Sequence, residues 1–321
     1  MRTTFIESLT DAAAADDRIF LVIGDLGFGV VEPFAQRFPD RFVNAGVSEQ
    51  SMMGIAAGLA DSGYLPFVYS IANFPTLRCL EQVRNDVCYH DLPVTIVAVG
   101  GGVSYGALGY THFAVEDIGI MRCLPGLRTV IPCDPTETAS LLAMLISDPR
   151  PSYLRLGKSG EPILGRDRPH SMIRFGWPRE IGGSGGKVAL LASGPIAAEC
   201  LTAADALAEQ GVLSTVWSVH SLPVAPEWWD EALPAAELIV TVEEHSRVGG
   251  LGSAVLESLS DADRCMRVLR LGFEDTRLKA IGSQDYLRRA HGLDSTAIHR
   301  RITSAIASST ARNKPSAEEY Q

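Results

Sequence analysis

Short apolar segments alternate with segments of helical periodicity through the first half of the chain. Residues 18–24, 42–46, 65–69 and 94–99 are rich in β-branched and aromatic residues, and helical patterns lie between them. Parallel strands need crossover connections, which are usually helices, so this alternation is typical of a parallel sheet covered by helices. We therefore predict an α/β fold.

The pattern changes at about residue 165. Residues 165–186 are polar and rich in Gly and Pro, which indicates a linker. A second series of strand and helix patterns follows, and a chain of 321 residues has room for two domains. We predict a parallel-sheet domain at 1–164, a smaller α/β domain at 187–308 and a disordered polar tail at 309–321.

Composition excludes several classes of partner. The formal net charge is −10, whereas binding to nucleic acid requires a basic surface. The apolar runs are shorter than the ~20 residues that a membrane-spanning helix needs, and the first residues lack the apolar core of a secretory signal. The six cysteines form no closely spaced pair, which favours core thiols over a metal site or disulfides. We expect a cytoplasmic protein with no nucleic-acid or membrane partner and no metal of its own.

The junction between a strand and a helix at residues 44–50 carries the first candidate catalytic residue. The sequence Asn-Ala-Gly-Val-Ser-Glu-Gln ends a predicted strand at Gly46 and begins a helix at Ser48, so Glu49 lies in the first helical turn. An acidic residue there has a structural explanation, since the helix dipole favours it. Alternatively, Glu49 lines a ligand site, because α/β sheets bind ligands at the carboxyl ends of their strands.

Two more candidates follow predicted strands. His112 lies in a glycine-rich loop after the strand at 94–99, and Phe74 lies after the strand at 65–69. Taken alone, each has an ordinary structural interpretation, since a single histidine is usually structural and an aromatic residue with apolar neighbours usually belongs to the core. His112 is directly preceded by Thr111 and is followed by Glu116 and Asp117.

Together these segments resemble the C-terminal half of transketolase and of the related deoxyxylulose-phosphate synthases. The resemblance covers about residues 15–305 and rests on Gly-Val-Ser-Glu-Gln at 46–50, Gly-Tyr-Thr-His-Phe-Ala-Val-Glu-Asp at 109–117 and Val-Glu-Glu-His-Ser at 242–246. It implies a pyrimidine-binding domain of a thiamine-diphosphate enzyme, followed by a transketolase C-terminal domain. The last motif has no cofactor contact in the family, so we interpret it as structural.

The resemblance implies a role for each candidate. Glu49 would hydrogen-bond N1′ of the aminopyrimidine of thiamine diphosphate and support acid–base catalysis through the cofactor. Phe74 would stack on the pyrimidine, with Ile71 as an apolar wall. Asp25 would lie near the thiazolium, although a strand-end capping role is the alternative. His112 would donate a hydrogen bond to the oxygen on which charge develops in the substrate.

The substrate-binding positions depart from the family pattern. Gly100 stands where transketolases have a phosphate-binding histidine, and Leu108 stands where they have an aspartate that binds a substrate hydroxyl. Arg155 matches the phosphate-binding arginine, and a guanidinium can bind phosphate or carboxylate at two points. An exposed arginine at a strand end is the alternative for Arg155. With His112, these positions predict a specialised sugar substrate rather than a common pentose phosphate.

The diphosphate site of the family is incomplete. Transketolases bind Mg²⁺ through a Gly-Asp-Gly motif and an asparagine farther along the chain, whereas Gly24-Asp25-Leu26 lacks the third glycine and Asn44 follows too closely. The resemblance therefore implies that a separate N-terminal transketolase subunit binds Mg²⁺ and the diphosphate. The two subunits would share thiamine diphosphate in an α2β2 heterotetramer.

Three functions follow from these features. The first is the C-terminal subunit of a two-component transketolase, which transfers a two-carbon ketol unit from a ketose to an aldehyde. The second is the beta chain of a 2-oxo-acid dehydrogenase, but the Thr-His-x-x-x-Glu-Asp segment at 111–117 favours the first. The third is a non-catalytic assembly subunit, and the presence of Glu49, Phe74 and His112 argues against it.

Overall fold

The computed structural model describes residues 1–165, 173–274 and 277–312. The chain folds into two α/β units, and the strands of the described residues are β1 (Ile19–Ile23), β2 (Phe42–Asn44), β3 (Leu65–Ile71), β4 (Thr95–Val99), β5 (Arg128–Val130), β6 (Ser152–Leu156), β7 (Arg179–Gly183), β8 (Val188–Ser193), β9 (Ser214–Ser218), β10 (Ser221–Leu222), β11 (Leu238–Ser246) and β12 (Arg267–Phe273).

The α-helices lie mainly between these strands, as the alternating sequence pattern predicts. They are α1 (Arg2–Ala15), α2 (Glu32–Arg37), α3 (Glu49–Asp61), α4 (Asn73–Leu77), α5 (Leu80–Gln82), α6 (Asp117–Met121), α7 (Pro135–Ser147), α8 (Ala197–Glu209), α9 (Trp228–Ala232), α10 (Leu251–Asp261), α11 (Gln284–Ala290) and α12 (Ser295–Arg312). Short 3-10 turns at Gly106–Leu108 and Tyr110–His112 shape the loop after β4.

The first sheet has seven strands in the order β10-β5-β6-β4-β3-β1-β2. All neighbouring pairs are parallel except β5 with β10, which comes from the second half of the chain and adds an antiparallel edge. The prediction of a parallel sheet in this domain is confirmed. Because β1, β2, β3, β4 and β6 run in the same direction, their carboxyl ends form one edge, and the loops that follow them lie side by side.

The second sheet has five strands in the order β12-β11-β8-β9-β7, and β7 pairs antiparallel with β9. Strand β7 falls within the predicted linker 165–186, so the second unit begins before the predicted start at 187. Two of the glycines in that segment, Gly182 and Gly183, end this strand, whose register shifts between Glu180 and Gly182. The predicted tail 309–321 begins within α12, and residues 313–321 lie outside the described ranges.

A buried polar cluster joins the two units behind the sheet edge. Asp134 caps α7 by accepting a hydrogen bond from the Glu137 N–H at 2.7 Å. The Glu137 carboxylate accepts from Arg179 Nε at 3.0 Å and from Ser218 Oγ at 2.8 Å, both of which belong to the second sheet. Buried carboxylates are costly unless they are paired and hydrogen-bonded, and Glu137 meets both conditions.

Three other features of the described residues bear on the membrane segments, metal sites and disulfides that the sequence argues against. No helix there is long and apolar enough to cross a bilayer. No group of three or more His, Cys, Asp and Glu side chains there is arranged to hold a metal ion. All six cysteines are free, and four are buried. Burial raises the pKa of the Cys88 thiol to about 11, which is typical of an unreactive core thiol.

Candidate functional site

The predicted site residues lie along the carboxyl edge of the first sheet. Asp25 follows β1, Glu49 follows β2, Phe74 follows β3 and His112 follows β4. Strands β2, β1, β3 and β4 are consecutive neighbours in the sheet, so the fold brings together loops that are far apart in sequence. The site is therefore built from four separate loops on one rigid sheet.

Glu49 is the first residue of α3, and it is only 5% exposed. Its Oε1 accepts a hydrogen bond from Arg78 Nη1 at 2.8 Å. Oε2 has no hydrogen-bond partner in the described ranges and is not fully buried. Oε1 is thus bound by Arg78, whereas Oε2 is available to bind another group at the edge of the sheet.

Arg78 also contacts the aromatic candidate. Its Cζ lies 3.9 Å from the centroid of the Phe74 ring, a close cation–π contact. The Phe74 ring meets the His112 ring at 5.3 Å between centroids with an interplanar angle of 64°. Glu49, Arg78, Phe74 and His112 therefore form a continuous series of contacts. Ile71, the last residue of β3, is partly buried and precedes Phe74 by three residues.

The loop that carries His112 is tied to α4. Asn73 Nδ2 donates to the Thr111 carbonyl oxygen at 2.7 Å. The Thr111 Oγ1 lies 3.0 Å from His112 Nδ1. When the Thr111 hydroxyl donates to Nδ1, the imidazole carries its proton on Nε2, which is then a hydrogen-bond donor for another group.

Asp25 adopts a left-handed backbone conformation with a φ of 56° immediately after β1. Its N–H donates to Asn44 Oδ1 at 3.1 Å, and Asn44 Nδ2 donates back to Asp25 Oδ1 at 3.0 Å. This reciprocal pair links the ends of β1 and β2. The two residues that stand in place of the family's metal motif therefore bind each other.

Gly100 follows β4 with a φ of 81°, a conformation that favours glycine. A Cβ atom at this position would lie 2.1 Å from Tyr105 Cε2, so the Tyr105 ring already fills the space that a side chain would need. A side chain here would require the Tyr105 ring to move and would hold a residue other than glycine in a rarely adopted backbone conformation. Leu108, farther along the same loop, is 55% exposed and leaves this part of the edge apolar.

The structure corrects the expectation for Arg155. This side chain is 3% exposed and lies between the two units instead of at a solvent-exposed strand end. Nε donates to Asp117 Oδ2 at 2.6 Å, and Nη2 donates to the carbonyl oxygens of Ala114 and Glu244 at 2.9 and 3.1 Å. Burial alone would lower the pKa of Arg155, but Asp117, Tyr153 and Glu244 together offset this and raise it. Arg155 is a buried structural residue and does not present its charge to a substrate.

Close packing against Arg155 and Glu244 requires glycine at two neighbouring positions of the loop after β4. A Cβ atom at Gly101 would lie 2.5 Å from Arg155 Nε, and one at Gly102 would lie 2.5 Å from Glu244 Oε2. The glycine-rich sequence after β4 therefore lets the loop pass directly over buried charges.

The Val-Glu-Glu-His-Ser motif is buried at the boundary between the units. Glu243 accepts from the N–H groups of Leu251 and Gly252 at 2.6 and 2.9 Å and so caps α10. His245 Nε2 accepts from the Gly119 N–H at 3.1 Å, while Nδ1 contacts the Ser246 carbonyl at 2.7 Å, which indicates a neutral imidazole with its proton on Nδ1. These contacts support the structural interpretation of the motif.

Two cations near Gly100 were not recognised in the sequence. Arg2 lies near the Tyr105 hydroxyl, and although burial raises the pKa of that hydroxyl, the Arg2 charge opposes the rise. Arg2 Nε is buried and has no hydrogen-bond partner among the described residues. Lys158, exposed just after β6, has its Nζ 5.6 Å from the Tyr105 ring centroid. These two residues, rather than Arg155, present positive charge at this end of the edge.

The residues at the edge fit an aminopyrimidine group. Glu49 offers a free carboxylate oxygen, Phe74 offers an aromatic ring, and Ile71 adds apolar surface. In contrast, the described residues near Asp25 include no group of acidic side chains that could hold Mg²⁺.

Comparison with protein families gives two successive matches, the first covering β1–β6 and the second covering most of β7 and all of β8–β12. Residues 1–161 match the model described as "Transketolase, pyrimidine binding domain", and residues 180–298 match "Transketolase, C-terminal domain". Glu49, Phe74, His112 and Arg155 all lie within the first match.

Similar proteins include subunits of divided enzymes. An apulose-4-phosphate transketolase subunit from Phocaeicola vulgatus is 34% identical, with 92% of this chain and 94% of that protein covered. The 6-deoxy-6-sulfo-D-fructose transketolase subunit SqwH from Clostridium sp. (strain MSTE9) is also 34% identical, with 94% and 92% covered. A solved split-gene transketolase, described as an inactive beta4 tetramer, superposes with a TM-score of 0.85 at 32% identity and covers 95% of this chain and 97% of that one.

Proposed function

Because the chain belongs to the transketolase family, we propose that it is the C-terminal subunit of a two-component transketolase. With its partner it would transfer a two-carbon ketol unit from a ketose to an aldehyde. The observation that carries this proposal is the convergence of Glu49, Phe74 and His112 at one sheet edge, joined by Arg78. Relatives of nearly the same length that are named as subunits of divided transketolases support it.

Thiamine diphosphate, when bound, supplies the carbon nucleophile that takes up the ketol unit. Glu49 would exchange a proton with N1′ of the aminopyrimidine through Oε2, because Oε1 is already bound to Arg78. Phe74 would stack on the pyrimidine, Ile71 would exclude water from its side, and Asp25 would lie nearest the thiazolium. In this proposal the protein's main contribution to proton transfer is the placement of one carboxylate.

His112 would act on the substrate. Its Nδ1 is engaged by Thr111, so Nε2–H is the donor that remains. A donor at this position would stabilise negative charge that develops on a substrate oxygen. The Asn73 hydrogen bond to the Thr111 carbonyl holds this loop next to Phe74, which keeps the histidine close to the ring site.

The partner would be an N-terminal transketolase subunit that carries the Gly-Asp-Gly motif, binds Mg²⁺ and the diphosphate, and forms an α2β2 heterotetramer with this chain. An exposed apolar rim supports this partner, since large apolar side chains lie in the loops after β1, β2, β3 and β4. The rim comprises Phe28, Val47, Leu77, Leu108 and Tyr110, which are 73, 74, 49, 55 and 52% exposed. Large exposed apolar side chains grouped along one sheet edge are typical of an interaction site.

The substrate would be a modified ketose with an anionic end. Gly100 and Leu108 remove a cationic and an anionic side chain found in the family, which disfavours common pentose phosphates. Arg2 and Lys158 provide positive charge near Tyr105 for a phosphate or sulfonate group. The names of the similar subunits, which refer to apulose 4-phosphate and 6-deoxy-6-sulfo-D-fructose, support a specialised anionic sugar.

The test is reconstitution of the complex from separately purified subunits. The N-terminal partner subunit, this chain, thiamine diphosphate and Mg²⁺ are combined and assayed for ketol transfer from a panel of ketoses and for decarboxylation of 2-oxo acids. Ketol transfer that requires both subunits supports the proposal. Decarboxylation of oxo acids without ketol transfer would instead identify a 2-oxo-acid dehydrogenase beta chain, and a complex inactive in both assays would identify an assembly subunit.

A further inference from the structure

Arg78 is the one residue of the candidate site that touches both the acidic and the aromatic candidate within the described ranges. Its Nη1 donates to Glu49 Oε1 at 2.8 Å, and its Cζ lies 3.9 Å from the Phe74 ring centroid. A guanidinium is flat and carries several donors, so it can lie on a ring with one face and hydrogen-bond at its edge. Arg78 therefore fixes the carboxylate and the ring relative to each other.

This contact contributes little to folding. The Arg78 side chain is 47% exposed, and solvent screening weakens the attraction between a half-exposed cation and its carboxylate. A structural ion pair of that kind is easily replaced. The consequence that is specific to Arg78 is geometric, since its hydrogen bond occupies Oε1 of Glu49 and leaves Oε2 without a partner among the described residues.

We propose that Arg78 is a positioning residue, which holds Glu49 so that only Oε2 faces the aminopyrimidine and which sets the Phe74 ring beside it. The inference rests on the proposed function and adds a residue to its cofactor site. With Oε1 occupied by the guanidinium, Oε2 is the carboxyl oxygen left to exchange a proton with N1′. It touches neither substrate nor reacting atoms, so its effect passes through Glu49 and Phe74.

The experiment compares Arg78→Gln, Arg78→Lys and Arg84→Gln in the reconstituted complex. Arg84 is the matched control. It is an exposed arginine farther along the chain, and its side chain donates a hydrogen bond to Asn85 and not to Glu49. Cofactor affinity is measured without substrate by titrating thiamine diphosphate at saturating Mg²⁺, and kcat and the sugar KM are then measured at saturating cofactor. Circular dichroism and sedimentation establish that each variant folds and assembles.

Loss of a hydrogen bond to a charged group predicts that Arg78→Gln raises the cofactor Kd about tenfold or more and lowers kcat by a similar factor. The sugar KM should stay unchanged, because the residue does not contact the sugar. Arg78→Lys keeps the charge but not the flat donor group, so it should recover part of the affinity. Arg84→Gln should behave as the wild type does.

A second comparison tests whether the effect of Arg78 on cofactor binding passes through Glu49. In the Glu49→Gln background, Arg78→Gln should cause only a small further change in the cofactor Kd, since the carboxylate that it holds is gone. An equal fold-loss in both backgrounds, or an unchanged Kd and kcat in Arg78→Gln, would overturn the inference while leaving the proposed function intact. A wild-type complex that binds no thiamine diphosphate would overturn both.

Discussion

Arg155 and Asp117 form a buried two-point ion pair, with Nε 2.6 Å from Oδ2 and Nη2 3.3 Å from Oδ1. Asp117 also accepts from the Tyr153 hydroxyl at 2.6 Å. Through the Glu244 carbonyl, the same guanidinium reaches the second α/β unit. The arginine that the sequence suggests for substrate binding thus connects the two units beneath the loop after β4.

Replacement of Arg155 should therefore affect stability before it affects substrate choice. Arg155→Met leaves Asp117 buried without its cation, and breaking a buried pair in this way costs about 3–5 kcal/mol. The free energy of unfolding is measured by urea denaturation. Arg150→Met is the control, because Arg150 and Asp148 are 59 and 54% exposed and an exposed pair contributes at most about 1 kcal/mol. Equal stability losses in the two variants, with a raised KM for anionic sugars in Arg155→Met alone, would contradict this prediction and indicate that Arg155 binds the substrate.

Lys158 should contribute to the binding of anionic ketoses. Lys158→Met in the reconstituted complex should raise KM for phosphorylated or sulfonated ketoses about tenfold or more, which is the effect of removing a charged hydrogen-bond donor. Neutral ketoses should be unaffected. Lys187→Met is the control, since Lys187 is an exposed lysine that pairs with Glu237 in the second unit. A KM that changes equally for anionic and neutral ketoses would contradict a charge-specific role.

Leu108 should set the preference for hydroxyl groups. Leu108→Asp places a carboxylate on the exposed turn of the loop after β4, where it can accept a hydrogen bond from a substrate hydroxyl. We expect kcat/KM to increase for polyhydroxylated ketoses relative to the wild type's preferred substrate. Ala107→Asp adds the same charge at the neighbouring exposed position and should not cause this shift. The same shift in both variants would show a general charge effect and not a contact at position 108.

The sequence is sufficient to predict those features of the fold that depend only on the order of strands along the chain. The alternating pattern indicates a parallel sheet, and all carboxyl ends of parallel neighbours share an edge. Glu49, Phe74 and His112 each follow such a strand, so their convergence follows from the pattern. The roles assigned to these residues remain predictions, because they depend on a cofactor and a partner subunit.

The sequence is less informative about the direction and partners of charged side chains. Every residue of β6 is buried, so an arginine within it has to be paired, but nothing in the local pattern identifies Asp117 or the second unit as the source of the partner. The role of Arg78 is not evident from the sequence, because its hydrogen bond to Glu49 joins two residues that are 29 positions apart. Arg2 and Lys158 are missed because neither is near the glycine-rich loop in sequence, although both lie close to Tyr105 in the fold.

The isolated chain should bind thiamine diphosphate weakly and have no turnover. The described residues offer groups for the pyrimidine ring but no acidic cluster for Mg²⁺, and the diphosphate with its metal supplies much of the binding energy of the cofactor. The measurement is a calorimetric titration of the purified chain with thiamine diphosphate and Mg²⁺, repeated with the reconstituted complex. Tight binding that depends on Mg²⁺ in the isolated chain would show that no second subunit is needed for the diphosphate site.

The most direct test of the account is the turnover of the reconstituted complex that carries Glu49→Gln. Glutamine preserves the size of the side chain and one hydrogen bond but cannot act as an acidic group at N1′. We predict normal folding and assembly with a loss of kcat of about 10²-fold or more, the usual contribution of general acid–base catalysis. Turnover close to that of the wild type would contradict the account and leave Glu49 as an ordinary acidic residue at the start of a helix.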